Sequence, residues 1–71
     1  MSNAIRTLRK TLDTVAANNE AAAIDVMRAA ERIADATLKQ QLFDVIHRMN
    51  VDAAELRSAR EQVVEKELRR A

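Results

Sequence analysis

His47 is the only side chain of the chain that titrates near neutrality without help, and it stands close to Asp44 and beside Arg48. Acid–base work would need a second group to orient the imidazole and a nucleophile or substrate pocket within reach. Helical spacing places His47 away from the main apolar stripe, with no serine or threonine near it. It reads as a solvated helix residue, and no catalytic residue is assigned. The carboxylates Asp13, Glu20, Asp25, Glu31, Asp44, Glu55, Glu61, Glu65 and Glu67 mostly flank or oppose the apolar positions. A carboxylate-bridged metal pair inside a helical bundle needs inward-facing Glu-x-x-His motifs, and the chain has none. With no cysteine and one histidine, a structural zinc site is excluded as well. The expectation is a protein that is not an enzyme and takes no metal or cofactor.

The remaining candidates are surfaces. Arg6, Arg9, Lys10, Lys66, Arg69 and Arg70 cluster toward the two chain ends. Residues 1–16 and 56–71 carry eight cations against four carboxylates, a net of +4, and the stretch between them nets −3. Lys66, Arg69 and Arg70 suit a helix C-terminus, where cations complement the macrodipole. Arg6, Arg9 and Lys10 sit near a helix N-terminus, and that explanation does not cover them. The patch could meet phosphates or an acidic partner. Phe43 is the sole aromatic, whereas base-stacking platforms use several. Ile24, Met27 and Phe43 lie off the centre of the apolar stripes and form a candidate partner-docking patch.

These residues have to be positioned by helices. The 71 residues contain no glycine and no proline, and charged residues make up 32% of the chain with a net charge of +1. That balance, rich in Ala, Leu, Glu and Arg, belongs to long helices and coiled coils. Ile5, Leu8, Leu12, Val15, Ala22, Val26, Ala29 and Ile33 recur at spacings of three, four and seven. The phase passes through Asn18-Asn19 without slipping, so one helix is expected from about 3 to 34, with Ser2 or Asn3 as its cap. Leu38, Leu42, Val45, Ile46, Met49, Ala53, Leu56, Val63 and Val64 form a second stripe, expected as a helix over about 38–69. It too keeps phase through Asn50-Val51-Asp52. The turn falls at about 35–37. Thr37 with Gln40 fits a capping box, with Asp35 as the alternative cap.

The fold class is therefore all-α, a single domain of two long antiparallel helices forming a hairpin. Folding at Asp35-Ala36 pairs Val26 with Val45, Ala22 with Met49 and Val15 with Leu56. The same register sets Asn19 opposite Asp52, a polar layer that could fix the alignment of the helices. Both apolar arcs are wider than a two-stranded seam requires. A chain this short buries a modest fraction of its surface and has no cysteine for disulfides, which leaves idealised helix packing, oligomerisation or both as the expected source of stability. Homodimerisation into a four-helix bundle would cover the excess. The length and layering resemble those of the Rop-like plasmid copy-control proteins, short helical hairpins that dimerise. That resemblance is one of length and layer pattern, and no residue role carries over with it.

No apolar run reaches membrane-spanning length, and the N-terminus lacks the apolar core of a secretory signal. A cytoplasmic protein without membrane contact is expected. Its function is expected to be that of a small, non-catalytic homodimeric interaction module, an adaptor or regulator that binds another protein. The alternative is a Rop-like nucleic-acid-binding hairpin dimer using the basic open end.

Overall fold

Helix α1 spans Asn3–Ala30 and helix α2 spans Ala36–Arg70. They come from a computed structural model that describes residues 2–70. Ser2 is extended, and its hydroxyl oxygen accepts the backbone N–H of Ile5 at 3.2 Å. That bond satisfies one of the donors every helix start leaves open. α1 runs unbroken through Asn18-Asn19. The alanines on either side, Ala16, Ala17 and Ala21–Ala23, have the highest helix propensity and offset the two asparagines. α2 likewise runs through Asn50-Val51-Asp52.

The reversal lies in residues 31–35, upstream of the expected 35–37, and α1 ends at Ala30 rather than Ala34. Without glycine the chain leaves α1 by tightening. The N–H groups of Arg32 and Ile33 donate to the carbonyls of Ala29 and Ala30, each at 3.1 Å. Such three-residue bonds close a helix end without a left-handed residue, and no described residue has positive φ. Asp35 then caps α2: its carboxylate accepts the N–H of Leu38 at 3.0 Å, and its carbonyl accepts that of Lys39 at 2.9 Å. The expected Thr37–Gln40 box does not form. The Gln40 side chain donates instead to Asp44, one turn on, at 3.2 Å. A carboxylate caps at least as well as a hydroxyl and also meets the positive end of the helix dipole. Asp35→Ala should lower unfolding stability by about 1 kcal/mol in a urea titration, whereas Thr37→Ala leaves the midpoint in place. The reverse order would return the cap to Thr37.

The buried and half-buried residues Ile5, Arg9, Leu12, Ala16, Asn19, Ala23, Val26 and Ala30 of α1, with Ile33 just beyond it, recur at alternating intervals of four and three. On α2 a matching row of buried and half-buried residues runs through Lys39, Leu42, Ile46, Met49, Ala53, Leu56, Arg60, Val63 and Glu67, with Val45, Ala59 and Val64 half-buried beside it. This is the heptad pattern of a two-stranded antiparallel coil. Its axis is made of alanine. Ala16, Ala23, Ala30 and Ala53 are 0–3% exposed, and among the described residues Ile46 is the only larger buried one, at 9%. Small residues repeated every seven let the two backbones approach closely. In this register Ala16 shares a level with Leu56, Ala23 with Met49, Val26 with Ile46, and Asn19 with Ala53. Each expected layer therefore shifts by one residue on α2. The apolar arcs are broad enough to accept either phase, and close approach selects the one that centres alanine.

Among the described residues no large side chain is fully buried. Leu8, Val15, Ile24, Met27, Leu38, Phe43, Val51 and Leu68 are 38–68% exposed. The hairpin is a rod of 55 × 15 × 11 Å with a radius of gyration of 16.3 Å. A globular chain of this length would have about 11 Å. No helix of the described residues is long and apolar enough to cross a membrane.

Candidate functional site

The seam divides the rod into two flanks with different chemistry. In an antiparallel pair, the rows just before the alanine positions of both helices fall on one side. Here those rows are Leu8, Val15, Ala22 and Ala29 on α1 and Leu38, Val45, Asp52 and Ala59 on α2. The rows on the other side include Arg6, Asp13, Glu20 and Met27 from α1 and Phe43, Asn50, Arg57 and Val64 from α2.

Two ion pairs join the helices toward the second flank. Arg57 donates to Glu20. The Arg60 Nε donates to Asp13, with its two oxygens at 3.1 and 3.2 Å. The hydrogen bond from Arg57 to Glu20, and then their charge attraction, raise the guanidinium pKa above its already high ordinary value. Arg57 is therefore a fixed cation. The Arg57–Glu20 pair is exposed and the Arg60–Asp13 pair part-buried, and both contribute more to alignment than to stability. The first flank contains a single carboxylate, Asp52, among seven apolar side chains, and Lys66 follows at its open end.

The candidate docking residues occupy the ion-paired flank near the turn. Met27 and Phe43 share a level there, with Ile24 one turn before Met27, and all three are exposed. The basic candidates gather at the open end. Arg6, Arg9 and Lys10 line a surface depression of about 360 Å3 together with Asp13 and Thr14. Lys66 and Arg70, with Glu67, rim a smaller apolar notch of about 170 Å3 formed by Ile5, Leu8 and Val63. Arg69 donates to Glu65 one turn back. His47 is exposed on the outer surface of α2. Among the described residues no three of His, Asp and Glu converge as metal ligands would.

The expected Asn19–Asp52 layer is not assembled. Asn19 is half-buried in the seam at the level of Ala53, and Asp52 lies exposed on the apolar flank. The one-residue shift on α2 causes this: it moves Asp52 outward and brings Ala53 under α1. Sequence reasoning also did not single out the row Leu8, Val15, Leu38 and Val45 as a surface. It assigned these four to the interior stripes, because hydrophobicity alone ranks leucine and valine above alanine as core. The recurrence of Ala16, Ala23 and Ala30 at intervals of seven was the available signal.

Comparison with protein-family models, with curated proteins and with solved structures finds no match for this chain. What can be argued about function rests on the two flanks.

Proposed function

We propose that the protein is a homodimeric, non-catalytic interaction module, in which two hairpins join through the apolar flank into a four-helix bundle. The observation that carries this reading is the continuous row of Leu8, Val15, Ala22 and Ala29 beside Leu38, Val45 and Ala59, interrupted only by Asp52. Leu8, Val15 and Leu38 remain 41–43% exposed while the seam beneath is lined by alanine. A hairpin that buries so little of its large apolar surface gains little from the hydrophobic effect, and small folds of this kind rely on association. A second copy covers the face with the same chemistry on both sides. The outer surfaces, including Ile24, Met27 and Phe43, then stay available for another protein, which suits an adaptor or regulator.

Nucleic acid as the partner draws less support. Arg57, Arg60 and Arg69 are each held by a carboxylate, and no aromatic side chain stands among the basic residues.

Folding and association are then one process, and stability depends on concentration. Between 5 and 500 µM the melting temperature should rise by roughly 10 °C, the shift that about 2.7 kcal/mol produces in a unit of this size. Sedimentation equilibrium over the same range should give twice the chain mass. A monomer mass with a melt that does not move removes the proposal.

A further inference from the structure

We infer that the two copies pack with their turns at the same end, α1 of each over α2 of the other, and with Asp25 paired to Arg48 across the interface. This inference rests on the dimer proposed above and adds its orientation. A closed pair joined through one face has a two-fold axis lying in the contact plane. The axis runs either along the rod or across it.

An axis across the rod sets α1 on α1 and α2 on α2, with the turns at opposite ends. The apolar rows extend from Leu8 at the open end to Leu38 at the turn, and their middle falls near Ala22 and Asp52. Covering both rows fully places the axis there. Asp52 then meets Asp52 of the second copy, while Glu55 and Arg48, equally far from the axis on the adjoining edge of α2, meet each other. The two Asp52 carboxylates are driven together in a contact that excludes water, where like charges repel most strongly. Sliding one copy by a heptad relieves the clash but uncovers an apolar layer at each end.

An axis along the rod has no such freedom, because every residue meets one at its own level. Val15 then lies over Ala59 of the second copy and Ala29 over its Val45, so large side chains meet small ones. Asp52 comes over Ala22 and meets no like charge. At the edge of the face Asp25 lies over Arg48 of the second copy, twice per dimer. Asp25 and Arg48 are both exposed, and neither takes part in the ion pairs within the hairpin.

The whole-rod charges favour the opposite arrangement, since the open end nets +4 and the remainder −3. Many of those cations lie elsewhere, though. Arg6 and Arg57 are on the ion-paired flank and Lys10 is farther round α1. Across water their interaction is screened within a Debye length of about 8 Å. Arg48 meets a carboxylate in either arrangement, Asp25 or Glu55, and the Asp52 contact decides.

The chain has no cysteine, so Ala34→Cys, exposed in the turn, accepts a single nitroxide. Pulsed dipolar spectroscopy should give a distance below about 30 Å, three helix diameters. Turns at opposite ends of a rod 55 Å long would give a distance near its full length and overturn the orientation while keeping the dimer. Absence of dipolar modulation at 500 µM would overturn the dimer itself. Asp25→Arg should weaken dimerisation at least tenfold, and adding Arg48→Asp should restore it. A charge swap that fails to restore it removes the Asp25–Arg48 pair from the interface.

Discussion

Val15→Glu combined with Val45→Glu should leave a chain that sediments as a monomer and has lost most of its helical circular dichroism at micromolar concentration. Both residues stand in the middle of the apolar flank, Val15 exposed and Val45 partly so. Within one hairpin neither substitution disturbs the alanine seam. In the dimer each chain would bury two carboxylates against apolar surface. Losing the burial of a valine costs about 1.5 kcal/mol, and desolvating a carboxylate costs more. Over four sites the loss is at least 6 kcal/mol per dimer, comparable to the whole stability of a small fold. Thr14→Glu with Ser58→Glu adds the same charge on the outer surface and should change neither mass nor helicity. The control separates an effect of the face from an effect of charge. A double valine variant that stays folded as a monomer would show that the hairpin stands without a partner.

How far the sequence anticipates this structure depends on which force decides each feature. The long helices were legible because the apolar phase persists through Asn18-Asn19 and Asn50-Asp52, and a phase survives only along one continuous helix. The reversal was displaced because Glu31 and Arg32 are good helix formers and Ile33 continues the stripe. Nothing in their types announces an end. What ends α1 is the tightened bonding of Arg32 and Ile33 together with the Asp35 cap, and these are features of the assembled turn. The seam was off by one residue for a related reason. Hydrophobicity favours Leu8 and Val15 over Ala16, whereas close helix approach favours Ala16, and only the second criterion fixes the register. The candidate surfaces follow from that register. Asp52 moved from a polar core layer to the apolar flank, and Arg57 and Arg60 became aligning pairs with Glu20 and Asp13. The patch of Ile24, Met27 and Phe43 stayed on the surface in either phase.

Leucine introduced at Ala16 and Ala23 should destabilise the protein, although the change adds hydrophobic surface to its interior. Simple transfer predicts a gain of about 2 kcal/mol for each leucine buried. The structure predicts a loss. Ala16 is 0% and Ala23 is 3% exposed, two turns apart on the seam. Three extra carbons at each site can be accommodated only by forcing α2 away, which opens the layers of Leu12 and Val26 on either side. Overpacking of this kind costs about 1–3 kcal/mol per site. The two sites are close enough to share one displacement, so the double variant should lose roughly 3–5 kcal/mol rather than a strict sum. Asn19 lies between them and stands half-buried at the level of Ala53. Asn19→Leu keeps the number of side-chain heavy atoms and frees the layer of a polar group, so it should raise stability by about 1–2 kcal/mol. It should also broaden the distribution of oligomers if the asparagine helps select a single register. Adjacent layers thus respond to leucine with opposite signs. Urea titrations of the two variants read this directly: the midpoint falls for Ala16→Leu/Ala23→Leu and rises for Asn19→Leu. A rise in both would mean that the helices stand far enough apart for hydrophobicity alone to govern the seam, and the alanine axis would lose its role in setting the register.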